Sequence, residues 1–294
     1  MGRTANSNQI TRDYLDSLLI ETRYMNSSVP STEYEIFGEK FSSPIMTAAL
    51  SHLDHFMFEG AAKAFAKGAK DAGVLMWYGM ASEEEIEALA AVGPKMVEII
   101  KPYRDREKIR RKLHHAENCG LLAVGIDIDH PFGPEGFHDF VDGEEMEPIT
   151  TEEMRELRNE TKLPFIIKGV LSVYDAKESL AAGASGILVS HHNNRIEYAC
   201  PPLLVLPEIL KVVDGKIPVF VDDEISTGMD AFKALALGAS GVGVGRPLMT
   251  AIKNDLENGA GNYLKTMNDQ LRKAMAFTGT TDLSKMDPSV IHRI

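Results

Sequence analysis

Short apolar runs rich in Val and Ile alternate along this chain with longer polar stretches of helical period. Apolar runs of that length, bounded by turn formers and separated by amphipathic segments, predict a parallel sheet covered by helices. The runs are PIMTA (44–48), GVLMW (73–77), KMVEII (95–100) and LLAVGIDI (121–128), then PFIIK (164–168), GILVS (186–190), PVFVD (218–222) and GVGVG (241–245). The segments between them, such as EGAAKAFAKGAKDA, DREKIRRKLHHAENC and GMDAFKALALG, end near Gly, Asn or Lys, the ordinary stop signals of helices. Near-regular repetition of the unit favours closure into a (β/α)8 TIM barrel over an open sheet of the same strands. The expectation is one barrel domain over 1–294, with an N-terminal extension over 1–40 and closing helices over 247–294. No Ser/Pro-rich linker or low-complexity tract interrupts it. The longest irregular stretch, 129–150, follows the fourth run, and its Gly, Pro and acidic content suggests a mobile loop rather than a packed one.

Composition narrows the partners more than the fold. The chain is 44% hydrophobic and 25% charged, the balance of a soluble globular protein, with a formal net charge of −12. Such a surface repels nucleic acid and anionic membranes, so neither is an expected partner. A small anion remains compatible, because a local cluster of Lys and Arg can outweigh the global field. The two cysteines, Cys119 and Cys200, are too few for a disulfide framework or a Cys-rich zinc site. A polar start and the lack of any long apolar window give a cytoplasmic protein as the expectation.

In a barrel of this kind the C-terminal strand ends converge on one pocket. Those ends carry His52; Trp77 and Tyr78; Lys101; Asp127, Asp129 and His130; Lys168; Ser190 to Arg195; Asp222, Asp223 and Glu224; and Gly245 with Arg246. Each alone reads equally well as a loop cap or a solvated side chain, and His114 and His115 read as surface residues. So many ionisable groups on one rim point to an enzyme. Lys168 must meet an anion, since burying an unpaired ammonium is costly. That anion is either negative charge on a bound ring, the reading its neighbours favour, or a salt bridge to Asp129 or Asp222 across the rim. GVGVGRP after the last strand suits a phosphate, through backbone N–H groups and the Arg246 guanidinium.

The stretches LPFIIKGVLSVYDAKESLAAGASGILVSHHNNR, LPEI and IPVFVDDEISTGMDAFKALALGASGVGVGRPLM resemble the FMN-dependent 2-hydroxy-acid oxidases and dehydrogenases. That family's pattern reads IKGV, SNHGGR, DGGVRRGTD, KALALGA and GRP. The likeness is nearly gapless over 163–290 and traceable over 40–130 through FSSPIM, EGAAKAF and IDIDHP. It implies FMN as cofactor, a small anionic substrate, and oxidation of a 2-hydroxy acid to the 2-oxo product. His192 is then the base, Asp129 its orienting carboxylate and Arg195 the carboxylate clamp. Lys168 and Ser190 face the flavin; Asp222, Asp223 and Glu224 lie beside the ribityl chain and phosphate, with Gly245 and Arg246 at the phosphate. A homo-tetramer is the family expectation.

Departures from the pattern are as informative. The glycine pair after the base is Asn193–Asn194, and DGGVR has become Asp222, Asp223, Glu224, Ile225 and Ser226, which removes an Arg and adds two carboxylates beside the phosphate. Those carboxylates are unfavourable there unless they point away. The family's Gln and Tyr on the third strand align with Ile99 and Lys101, and its second substrate Arg is absent. Tyr14 is a loose candidate for a shortened N-terminal Tyr. Two rivals stand beside this reading. One is a metal-dependent barrel lyase, isomerase or hydrolase using the strand-end His and carboxylates. The other is a non-catalytic flavin or phosphate-ligand binder. No tight metal spacing supports the first, so no metal is expected; retention of a base argues against the second.

Overall fold

The computed structural model describes residues 5–294; the first four residues of the expected N-terminal extension lie outside them. Eight parallel strands form one sheet. In chain order they are Ile45–Thr47, Met76–Gly79, Met96–Ile100, Ala123–Asp127, Phe165–Val170, Gly186–Val189, Val219–Val221 and Gly241–Val244. Seven regular ladders link them from the second strand round to the first. The seam between first and second is closed by a Leu50–Tyr78 bridge and by Thr47, whose hydroxyl accepts from Trp77 N at 2.7 Å. The barrel expectation therefore holds.

Period-two alternation sorts the strands into two cores. Met46, Leu75, Trp77, Val97, Ile99, Ala123, Ile166, Leu188 and Phe220 fill the barrel, while the opposite positions pack under the helices. A hairpin, Tyr34–Ile36 with Glu39–Phe41, plugs the N-terminal end, and its Phe37 ring lies 6.3 Å from Phe220. With that end filled by side chains, only the C-terminal end is left for a site. Near the chain ends, Leu18–Ile20 pairs antiparallel with Ile291–Arg293, and the long helix Gly259–Phe277 packs on helices Ala61–Ala72 and Gly228–Ala236.

Three expectations change. The second strand starts later than the apolar run, because Gly73 is the left-handed C-cap of the preceding helix. Trp77 is consequently a barrel-filling residue that packs on Phe220 at 5.2 Å, and Tyr78 is buried beneath the helices; neither stands on the rim. The fifth strand runs through Lys168 to Val170 instead of ending at the lysine. The stretch 129–150 is packed: it forms the small hairpin Phe140–Val141 with Glu144–Glu145, and Met146 is fully buried. Its Gly and Pro residues serve turns within a built loop.

Candidate active site

The barrel interior continues upward into charge. Ile99, Ile166, Leu188 and Phe220 face inward, so Lys101, Lys168, Ser190 and Asp222, each two residues further on, face the same way. Asp127 follows from Ala123 by the same rule. Parallel register pairs Lys168 with Asp127 and Ile100 with Ile126, which sets both lysines beside one carboxylate. Lys101 Nζ donates to Asp127 Oδ2 at 2.5 Å and Lys168 Nζ to Asp127 Oδ1 at 2.9 Å; all three side chains are buried. Burial pushes the Asp127 carboxyl upward, but the two ammonium groups overcome it and hold the acid well below its usual range. Lys168 is raised: burial opposes its charge, and Asp127, Asp129 and Asp222 together more than offset that. Lys101 is lowered by burial, with repulsion from Lys168 adding to it against the attraction of Asp127. Sequence reasoning placed Asp127 on the rim without a role; it is the anion that allows two lysines to be buried.

Directly above lies His192. Its Nδ1 is 2.6 Å from Asp129 Oδ1 and 3.2 Å from Lys168 Nζ. A carboxylate at that distance selects the tautomer protonated on Nδ1 and leaves the Nε2 lone pair as the acceptor. The approach of Asp129 depends on Gly169, a bulge residue with φ +91°, where a Cβ would sit 2.4 Å from the Asp129 Cγ. Arg195 is held by the long loop: its Nη2 donates to Asp139 Oδ2 at 2.5 Å and to the Phe132 carbonyl. Asp139 also faces His130 Nε2 at 3.0 Å, and His130 Nδ1 lies 2.7 Å from Lys101 Nζ. An imidazole that accepts from an ammonium at Nδ1 carries its proton on Nε2, toward Asp139. Burial first, then the nearby Lys101, His192 and Arg195, push His130 down to about 3, so it is neutral beside His192.

The other half of the rim is arranged differently. Asp223 turns toward the 190–194 loop, where Oδ2 accepts from His191 N at 2.6 Å and from the Ser190 hydroxyl at 3.2 Å, while Oδ1 accepts from Asn193 N at 3.1 Å. Glu224 forms an ion pair with Arg246. Asp222 is buried beside Asp223; burial, and then that neighbour, push its carboxyl well above the usual range, and its Oδ1 has no hydrogen-bond partner. Helix Arg246–Asn254 begins at Gly245 with no side-chain cap on its first N–H groups. A cavity of about 600 Å³ joins the two halves, from Lys168 and His192 past Asp222 to Gly245, Arg246 and Thr250.

Other expected residues lie elsewhere. Tyr14 packs under the Arg293 guanidinium, 4.7 Å from its ring centre, and does not line the cavity. His52 faces Asp142 of the long loop. His114 is exposed, whereas the His115 ring is largely covered and meets Glu87 and Cys119. Ligand atoms of Asp127, His130 and His192 do fall within 4.8 Å of one another, as the metal rival requires. Yet the Lys101 and Lys168 ammonium groups already contact both Asp127 oxygens, and Lys101 also contacts His130. Two cations that close leave a third one unfavourable.

A plugged (β/α)8 barrel whose open end carries a carboxylate-oriented imidazole, a buried lysine and an uncapped helix start after the eighth strand defines a barrel enzyme for a phosphorylated ligand. The chain matches the family model described as FMN-dependent dehydrogenase over residues 2–141 and 133–293. It is 30% identical to glycolate oxidase 1 of Zea mays, over 85% of this chain and 78% of that protein. It is 31% identical to 4-hydroxymandelate oxidase of Amycolatopsis orientalis, over 85% of this chain and 79% of that one. A solved mandelate oxidase mutant carrying a monooxide FMN adduct superposes with a TM-score of 0.87 at 30% identity, covering 100% of this chain and 93% of that chain. The chain belongs to the FMN-dependent dehydrogenase family, and FMN is its cofactor.

The residues present fit that group. Asp222 offers an orphaned buried oxygen for a hydroxyl-bearing chain, the uncapped helix start at Gly245 suits a phosphate, and Lys168 supplies fixed positive charge at the far end of the cavity. Glu224 competes with the phosphate for Arg246.

Proposed function

We propose that the protein oxidises a 2-hydroxy acid or related anionic alcohol to its 2-oxo product, with His192 as the base. The observation that carries this reading is the 2.6 Å bond from His192 Nδ1 to Asp129, on a ring that lines the same cavity as Lys168. FMN, when bound, accepts the electrons that leave the substrate carbon. His192 Nε2 takes the hydroxyl proton, and Asp129 stabilises the imidazolium that forms. Arg195 binds the substrate carboxylate; its described bonds leave from Nη2 alone, and a guanidinium has further donors. Lys168 would hold positive charge beside the flavin, and Asp222, Gly245 and Arg246 would hold its ribityl and phosphate end, while the Ser190 hydroxyl accepts from His192 N at 3.0 Å. Named substrates of the relatives, glycolate and mandelates, define the panel to screen. Arg195→Ala is expected to raise KM for the true substrate far more than it lowers kcat; unchanged efficiency would remove the clamp assignment.

No helix among the described residues is long and apolar enough to cross a membrane. A cytoplasmic location and a homo-tetramer belong to the same proposal, supported by the polar, acidic sequence and the family pattern; cell fractionation and sedimentation velocity test them.

A further inference from the structure

The Asn193–Asn194 pair and the Glu224 segment depart from the family pattern, and all of them meet one element outside the barrel. Helix Ser7–Asp16 lies across this rim. Its Ser7 N donates to Asn194 Oδ1 at 2.6 Å, and Asn8 Nδ2 donates to Asn193 Oδ1 at 2.8 Å. One turn on, Thr11 Oγ1 is 2.8 Å from His191 Nε2, and Arg12 Nη1 donates to the Glu224 carbonyl at 3.0 Å. Ser7 also bridges the far end of the loop: its hydroxyl donates to the Ile196 carbonyl at 2.6 Å and accepts from Ala199 N at 3.0 Å. Ser7, Thr11 and Leu15, spaced one turn apart, are the buried face of this helix. A helix face that buries two hydroxyl residues against a loop is fitted to polar partners there.

The loop needs such support. His192, Asn193 and Asn194 are consecutive non-glycine residues with φ of 50°, 55° and 66°. Left-handed backbone is unfavourable for an L-residue and persists where the surroundings over-determine it. From the barrel side, the Asp223 carboxylate holds His191 N and Asn193 N, and Ser190 Oγ accepts from His192 N at 3.0 Å. From the outer side the side chains of His191, Asn193 and Asn194 bond to the N-terminal helix, as do the backbone groups of Ile196 and Ala199 further along. Glycine at the last two positions has no atom to accept either bond.

We infer that helix Ser7–Asp16 is a positioning element for His192, and that Asn193, Asn194 and His191 are the residues through which it acts. The catalytic part of this inference rests on the proposed role of His192; the clamping of the loop does not. Asn194→Gly separates the clamp from general stability, because glycine relieves the left-handed strain while removing the tether to Ser7. Thr11→Val removes the bond to His191 at nearly constant shape, and Thr11→Ser restores the hydroxyl.

The experiment measures amide hydrogen exchange of residues 190–195, FMN affinity and kcat with KM in the full chain of each variant. Expected for Asn194→Gly is an unchanged or higher Tm, unchanged FMN affinity and faster exchange in the loop. Its kcat falls several-fold with little change in KM; Thr11→Val behaves likewise and Thr11→Ser returns toward wild type. Wild-type exchange in Asn194→Gly and Thr11→Val would overturn the clamp, whatever the substrate. Faster exchange with wild-type kcat would overturn the positioning role. A wild-type protein inert toward every 2-hydroxy acid would instead overturn the proposed function, and the exchange data would still decide the clamp.

Discussion

The two halves of the barrel mouth handle charge in opposite ways. Around the third to sixth strands, Lys101, Asp127, Lys168, Asp129 and His192 are paired with one another. Around the seventh and eighth, Asp223 serves a loop, Glu224 occupies Arg246, and Asp222 keeps an oxygen without a partner. The first half is paired within itself, although Asp129 Oδ2 has no hydrogen bond and lies 3.8 Å from Lys168 Nζ; the second is completed or opposed by what binds there. On the proposed reading, the chain holds its proton-transfer groups in a preset network, while a phosphate at the other end would compete with the Glu224–Arg246 ion pair. The backbone is left-handed at Asp223 and Glu224, φ 67° and 59°, where the family pattern has glycines. What has changed is the side chains set on that path.

Removing the base should break the preset half most severely. His192→Gln is expected to lower the rate of flavin reduction by about 10²–10⁴-fold, the usual contribution of a general base, with FMN still bound. Next in size is Asp127→Asn, which leaves two buried ammonium groups facing a neutral amide. Breaking a buried ion pair from one side costs about 3–5 kcal/mol, so thermal unfolding should shift down sharply. A variant melting with wild type would mean the Lys101–Asp127–Lys168 cluster is not the anchor its geometry suggests.

Glu224→Gln sharpens the other half. It frees Arg246, and FMN should bind roughly tenfold more tightly, in line with one charge-assisted hydrogen bond, while riboflavin, which lacks the phosphate, should not respond. Equal gains for both ligands would move Glu224 away from the phosphate. A last effect is on acid stability. His130 titrates near 6.5 when free and is pushed down to about 3 in the fold. Between those values the unfolded chain binds a proton that the folded one does not, so stability falls as pH drops from 6.5 toward 3. His130→Gln should flatten that limb of the stability curve, as read by denaturant melts at stepped pH.

Much of this was legible in the sequence, and the gaps have physical causes. The strands follow from apolar runs between helical segments; the second was shifted, since GVL is as apolar as the strand itself and Gly73 ends a helix instead, and the fifth was cut short at Lys168. The resemblance over 163–290 singled out Lys168, His192 and Arg195. Asp127 escaped because its meaning lies in the register that sets Lys101 and Lys168 beside it. A period-two count upward from Ala123 would have shown that it faces inward. Asp139 on Arg195 and the N-terminal helix on the 190–194 loop join residues 56 and 180 or more positions apart. Neither contact leaves a periodic trace in the sequence.

The most direct test is anaerobic mixing of the FMN-loaded protein with a panel of 2-hydroxy acids, following the visible flavin band. Wild type should be bleached by at least one of them, and His192→Gln should keep its flavin yet stay oxidised on the same time scale. A wild-type flavin that a chemical reductant bleaches but no 2-hydroxy acid does, or a His192→Gln variant reduced as fast as wild type, would contradict the assignment of His192 as the base of a 2-hydroxy-acid oxidation.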